Sequence, residues 1–286
     1  MPQTPLDRLV ELLDLETIEV DIFRGRQPTE SLQRVFGGQV AGQALVAAGR
    51  TVPEDRPVHS LHAYFLRPGD PSVPIIYEVD RIRDGRSFTT RRVVAIQHGK
   101  AIFNMSASFQ VVEQGLEHAT PMPDVPDPES LQTIQQRMAA YADELGGWFS
   151  RPRPIDIRYV TDPPRVIRDQ GGVGEPRSQV WMRADGRMPD DPLLHVCAVA
   201  FASDMTLLDS TLLSHGLAMG KDPVMLASLD HAMWFHRPFR ADERFLYDQD
   251  SPATSGGRGL ARGSIYTQDG KLAVSVVQEG LIRLIR

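Results

Sequence analysis

His59-Ser60-Leu61-His62-Ala63-Tyr64-Phe65-Leu66-Arg67-Pro68-Gly69 decides the fold. It reads as a strand over His59–Leu66 running into a Pro68-Gly69-Asp70 turn. Its end is echoed far downstream. Phe65-Leu66-Arg67-Pro68 corresponds to Phe235-His236-Arg237-Pro238 at an offset of 170, and Gly99-Lys100 to Gly270-Lys271 at an offset of 171. Between these anchors each half carries a Gly-Arg turn (Gly85-Arg86 and Gly257-Arg258) and runs strand, turn, strand, turn, strand. A near-constant offset with shared element order points to an internal duplication.

Working outward, strands are expected at Ile75–Arg83, Ser87–His98 and Lys100–Val112, broken at Asp84-Gly85 and His98-Gly99. Upstream, Leu6, Leu9, Val10, Leu12 and Leu13 give a helix over Leu6–Leu15, and a short strand fits Ile18–Phe23. Gly37-Gly38-Gln39 opens a helix of small residues (Ala41, Ala44, Ala47, Ala48) that ends at Gly49 and suits deep burial. Gly115–Pro128 holds four prolines and reads as a linker, followed by a helix over Ser130–Leu145. The second half is strand-like from Ile155, through Gln179–Arg183 and His195–Phe201. A short helix over Asp204–Leu213 precedes strands at Leu229–Phe235, Gly259–Thr267 and Lys271–Leu284. The class is α+β. The expected units are residues 1–115, a connecting segment with a helix over 116–154, and residues 155–286.

The 286 residues form a soluble, globular composition: 41% hydrophobic, 24% charged, net charge −6 and pI about 5.8. No dominant basic face exists for nucleic acid, though a local arginine cluster could still hold a small polyanion. The lone Cys197 excludes an intrachain disulfide and a Cys-rich zinc site, and its apolar setting reads as a buried thiol. The first twenty residues do not resemble a signal peptide. No run approaches the ~18 apolar residues of a membrane span. The Ile285-Arg286 end is no peroxisomal tail, so a cytoplasmic location is expected. There is no G-x-S-x-G elbow, no H-E-x-x-H, and neither nucleotide fingerprint, G-x-x-x-x-G-K-[ST] or G-x-G-x-x-G. No cofactor and no metal are expected.

Several strings are more specific than the outline. Val35-Phe36-Gly37-Gly38-Gln39-Val40, the His59–Gly69 stretch, Leu229-Asp230-His231-Ala232-Met233-Trp234-Phe235-His236-Arg237-Pro238, Tyr266-Thr267-Gln268-Asp269-Gly270 and Val277-Gln278-Glu279-Gly280 together resemble the TesB-type acyl-CoA thioesterases. The resemblance spans nearly the whole chain and is weakest over 116–175. It implies a double hotdog, two tandem hotdog domains, each a long antiparallel sheet wrapped round a central helix. It also implies hydrolysis of fatty acyl-CoA to free CoA and a carboxylic acid with no covalent intermediate. The family's water-holding Asp, Thr or Ser, and Gln fall on Asp204, Ser228 and Gln278, within Phe201-Ala202-Ser203-Asp204, Ala227-Ser228-Leu229 and Val277-Gln278-Glu279. Hotdog proteins normally associate, so a homodimer or larger homo-oligomer is expected.

The residue types suit this chemistry. A thiolate leaves readily, its thiol having a pKa of roughly 8.5, so a carboxylate general base and an oxyanion donor suffice. Asp204 is the candidate base, with donors expected from the helix following it. Plainer readings stand beside these. Asp204 also suits an N-cap, and Gln278, on the face of Leu272, Val274 and Val276, could be a buried amide satisfied by backbone. By the repeat offsets Ser228 maps to Val58, Gln278 to Ala107, and the Asp204 region near Gly37-Gly38, placing the chemistry in the second half. Gly37, Gly38 and His59 are candidate substrate contacts, although glycines there also suit helix packing. His62, His231 and His236 lie in strands and form no triad pattern with an adjacent Asp, since neighbours on a strand face opposite ways. Arg81, Arg83, Arg86, Arg91 and Arg92, and separately Arg258 and Arg262, read mainly as solvated strand faces. Two other functions stay open. One is a hydratase using Asp209 and His215, and the other is a non-catalytic acyl-CoA-binding module.

Overall fold

The computed structural model describes residues 3–27, 34–145 and 151–285. Helix α1 (Pro5–Leu13) starts on a capping box. The Thr4 hydroxyl accepts from Asp7 N–H, and the Asp7 carboxylate accepts from Thr4 N–H. The strand expected at 18–23 is instead two short strands, β1 (Glu16–Glu19) and β2 (Ile22–Arg24), turned at Asp21 with φ 61°. Helix α2 (Gly37–Gly49) lies where the small residues place it and is buried from Gly38 to Ala48. It is followed by β3 (Val58–Phe65), β4 (Ile76–Asp84), β5 (Phe88–Gln97) and β6 (Lys100–Gln110). His98 (φ 49°) and Gly99 (φ 68°) make the tight β5–β6 turn, which needs positive φ at both positions.

The helix expected over Ser130–Leu145 is broken into α3 (Ile134–Arg137) and α4 (Ala142–Leu145), with a single 3₁₀ turn, Ala139–Tyr141, between them. Met138 leaves helical geometry at φ −97°, ψ 8°. Only Ile134 and Met138 are buried there, so no continuous apolar stripe holds a longer helix together. The second half contains β7 (Ile155–Tyr159), α5 (Pro164–Asp169), β8 (Arg177–Ala184), α6 (Pro192–Ser203) and α7 (Asp209–Leu213). It closes with β9 (Val224–Ser228), β10 (Asp230–Phe235), β11 (Phe245–Ser255), β12 (Arg258–Thr267) and β13 (Leu272–Leu284).

The largest departure from the sequence reading is α6. His195–Phe201, expected as a strand, is the body of a helix. Its run is apolar on all sides, so periodicity could not separate the two. The deciding signal is Asp191-Pro192: the Asp191 carboxylate accepts from Leu193 and Leu194 N–H, and Pro192 occupies the first turn. Asp204 consequently ends α6 as its C-cap, rather than opening a helix over Asp204–Leu213. Strands β9 and β11 also went unexpected.

All strand pairs are antiparallel and form one sheet in the order β1-β2-β4-β5-β6-β3-β10-β13-β12-β11-β8-β7, with β9 on β13. The halves join at β3–β10, where Ser60 faces Trp234, His62 faces Ala232 and Tyr64 faces Asp230. His62 and Ala232 differ by 170, and the same shift carries the Ser60–Trp234 pair onto Asp230–Tyr64. A pseudo-twofold axis therefore passes through the seam.

Inside the sheet, α2 and α6 pack antiparallel. Gly37 sits by Asp204 and Gly49 by Leu193. A Cβ on Gly38 would lie 2.3 Å from the Phe201 carbonyl oxygen, and one on Gly42 3.1 Å from that of Cys197. Backbone thus meets backbone, and no side chain fits between. We predict that Gly38→Ala costs about 1–3 kcal/mol or more in denaturant melts. Gly115→Ala, with nothing within 4 Å of its Cβ, should shift stability by less than about 0.5 kcal/mol.

Candidate active site

Two strands of the second half converge on Asp204, the C-cap of α6. β9 pairs with one end of β13, bringing Ser228 beside Gly280. The core face of β13 carries Gln278. The Ser228 hydroxyl donates to Asp204 Oδ1 at 2.9 Å, and Gln278 Nε2 donates to the same oxygen at 2.7 Å. Both fixed donors therefore sit on Oδ1. Asp204 Oδ2 faces the first half, 2.6 Å from where a Gly37 Cβ would be. A side chain at that position would push aside the carboxylate or the Phe65 ring.

The electrostatics follow from the helix ends. Asp204 terminates α6, where the dipole disfavours an anion. The two donors offset this, as does α2, whose positive N-terminus meets Oδ2. The Gly37 and Gly38 N–H groups precede the first helical hydrogen bonds, which Gln39 and Val40 N–H make to the Phe36 carbonyl, and Phe36 supplies no side-chain cap. The N–H groups at the start of α2, in the first half, thus lie open beside Asp204. No helix begins at Asp204; the next one, α7, opens at Asp209. The repeat mapping of Asp204 onto Gly37-Gly38 fails as well, since α6 matches α2 as an element and Asp204 falls at its other end. The two come together in space because the helices are antiparallel. Mapping onto Val58 and Ala107 agrees with the register: Val58 pairs with Phe109 where Ser228 pairs with Gly280, and Ala107 takes the place of Gln278.

Of the candidate substrate contacts, Gly37 lies at Asp204 and Gly38 packs on Phe201. His59 instead bonds Ser108 Oγ through Nε2 at 2.8 Å, and its ring meets Phe88 edge-on. Five of the clustered arginines are held by neighbours: Arg81 by Asp21, Arg91 by Asp84 and Thr51, Arg92 by Asp80, Arg258 by Glu279 and Arg262 by Asp250. Cys197 is fully buried within α6, and burial pushes its thiol well up, away from nucleophilic thiolate. Sequence reasoning passed over Ser203 and His231, which bond through Ser203 Oγ and His231 Nε2 at 2.9 Å directly behind Asp204. An apolar cavity of about 260 Å³ lies next to the start of α2, lined in part by Leu9, Leu12, Phe36, Gln39 and Phe201.

Two central helices, α2 and α6, each wrapped by one half of a single antiparallel sheet, define a double-hotdog protein. Residues 26–110 match the acyl-CoA thioesterase N-terminal domain, and residues 151–281 match the acyl-CoA thioesterase family model. The chain is 44% identical to mouse acyl-coenzyme A thioesterase 8, over 96% of this chain and 89% of the relative. It is 41% identical to acyl-CoA thioesterase 2 of Haemophilus influenzae, over 97% and 98%. The structure of acyl-CoA thioesterase II TesB2 from Mycobacterium marinum superposes with a TM-score of 0.80 at 46% identity, covering 97% of this chain and 98% of that one. The chain belongs to the TesB-type acyl-CoA thioesterase family and is a thioester hydrolase.

The hydratase pair does not assemble. The Asp209 carboxylate accepts from Tyr159 O–H, while His215 bonds Thr254 through Nε2. Burial pushes the Asp209 carboxyl up to about 7, opposed by the Tyr159 hydrogen bond. A carboxyl whose pKa is raised on folding stabilises the native state on the acid side, and that stability is lost as pH rises from about 4 through 7. We expect Asp209→Asn to remove part of the fall in Tm between about pH 5 and about pH 8, read by thermal melts across that range.

Proposed function

We propose that this chain hydrolyses acyl-CoA to CoA and a carboxylic acid by direct attack of water, with Asp204 as general base. The observation that carries the reading is the division of labour on one carboxylate. Oδ1 takes the donors of Ser228 and Gln278, and Oδ2 faces the α2 N-terminus. A water between Oδ2 and a thioester carbonyl gives its proton to Oδ2 as its oxygen bonds the carbonyl carbon. The tetrahedral oxyanion rests on N–H groups at the start of α2. Its collapse breaks the C–S bond, and the CoA thiolate takes up the proton, restoring Asp204. Ser228 and Gln278 fix the carboxylate plane, a proximity effect that is paid for on folding.

On this reading residues 1–115 and 155–286 are two hotdog units joined by 116–154. The first contributes the oxyanion end, and the second contributes the trio. The cavity behind Phe36 and Phe201 takes the acyl chain. The chain acts in the cytoplasm as a homodimer or larger assembly, for which the exposed Tyr64 and Phe88 offer support as apolar contact surface. Light scattering at the monomer mass would contradict the assembly.

Asp204→Asn tests the base. Thiol release from an acyl-CoA panel should fall by about 10²–10⁴-fold with the melting curve little changed; release equal to wild type would remove Asp204 from the role. Leu12→Trp, which narrows the cavity, should shift the chain-length profile toward shorter acyl groups. An unmoved profile would place the acyl chain elsewhere.

A further inference from the structure

Asp204 is held correctly only if Gln278 turns its amide nitrogen, not its oxygen, to the carboxylate. The contacts described so far do not enforce that choice. Gln278 is 0% exposed, and its Oε1 is buried without a hydrogen-bond partner. In the β10–β13 ladder Ala232 faces Val277, so His231 stands next to Gln278 across the strands. Both side chains lie on the core face, and His231 is 1% exposed. Its Nε2 meets Ser203 Oγ at 2.9 Å, and its Nδ1 is also buried without a partner. An orphaned acceptor and a potential donor therefore sit on adjacent strands. Leaving both unmet is costly in a dry interior.

We infer that His231 is a positioning residue for the reaction: as the Nδ1–H tautomer it donates to Gln278 Oε1 and so locks the amide nitrogen onto Asp204. The inference rests on the reading of Asp204 as general base with Ser228 and Gln278 holding its carboxylate. The tautomer follows from elimination. A carbonyl oxygen can only accept, so a bare Nδ1 would set lone pair against lone pair. With the proton on Nδ1, Nε2 must accept from Ser203 O–H. That hydroxyl also lies 3.0 Å from the Ala200 carbonyl, but its single proton goes to the imidazole. The result is a directional chain: Ser203 O–H to His231, His231 N–H to Gln278, Gln278 N–H to Asp204. Each link polarises the next. Burial pushes the imidazole's pKa down and so favours the neutral ring, against the pull of Asp204, a hydrogen bond with Gln278 and the charge of Asp230. Turning the amide over would break two links at once and set its oxygen against a carboxylate.

The test uses His231→Leu, His231→Asn, Gln278→Ala and the double variant His231→Leu/Gln278→Ala, assayed by thiol release. His231→Leu should lower kcat roughly 10- to 100-fold with KM within about twofold. His231→Asn, whose Nδ2 falls where Nδ1 was, should recover most of the loss, and the double variant should be no slower than Gln278→Ala alone. The ¹⁵N signals of the His231 ring in the wild type should show a protonated Nδ1 and a bare Nε2, a readout independent of whether any variant folds. A protonated Nε2 with bare Nδ1, or losses that multiply in the double variant, would overturn the inference while leaving the trio intact. If Gln278→Ala itself keeps full kcat, the trio reading fails, and the role of His231 with it.

Discussion

The structure depends on the contact between α2 and α6, made at backbone distance. Because Gly38 presents only hydrogen to the Phe201 carbonyl, the two helices can lie closer than any side chain would allow. Antiparallel packing then sets the amino end of one helix against the carboxyl end of the other. Asp204 stands at that junction, on the end that repels an anion and beside the end that attracts one. A thicker interface would separate the two and leave the carboxylate without its positive neighbour.

The sheet does the rest by register. Ser228, His231 and Gln278 come from β9, β10 and β13, and the ladder pairs β13 with each of the other two. Hydrogen bonds between strands thus space the polar side chains around Asp204 before any side-chain interaction acts. Tertiary scaffolding of this kind orients groups at little entropic cost during the reaction.

Much of this was legible in the chain. The small-residue run of α2 and the alternation of β3 to β6 follow from local pattern, and the repeat offset anticipates the seam. The trio was not legible from physics; it came from resemblance, because Ser228 carries no local signal, the apolar face around Gln278 signals only a buried amide, and both meet Asp204 only through long-range pairing. Helix α6 was missed because it is buried on every side, which erases the 3.6-residue period. With α6 read as a strand, Asp204 was put at the start of a helix instead of the end of one. Strand β11 hid behind Asp248, Gln249 and Asp250, whose polar side chains mask the alternation. His231 looked like any strand histidine, since its partner lies 47 positions away.

The glycines at the helix contact (Gly37, Gly38, Gly42 and Gly49) belong to α2; Pro192–Ser203 contains none. Two identical subunits meeting on a true twofold axis could not be built this way, because any residue removed from one helix would vanish from its mate. Joining the copies into one polypeptide lifted that bond. One helix was free to become a slim electrophilic wedge and the other to keep the bulk and the acid. The covalent link between the halves is, in this sense, a licence for asymmetry, and a carboxylate on one helix facing bare glycine on the other is what that licence yields.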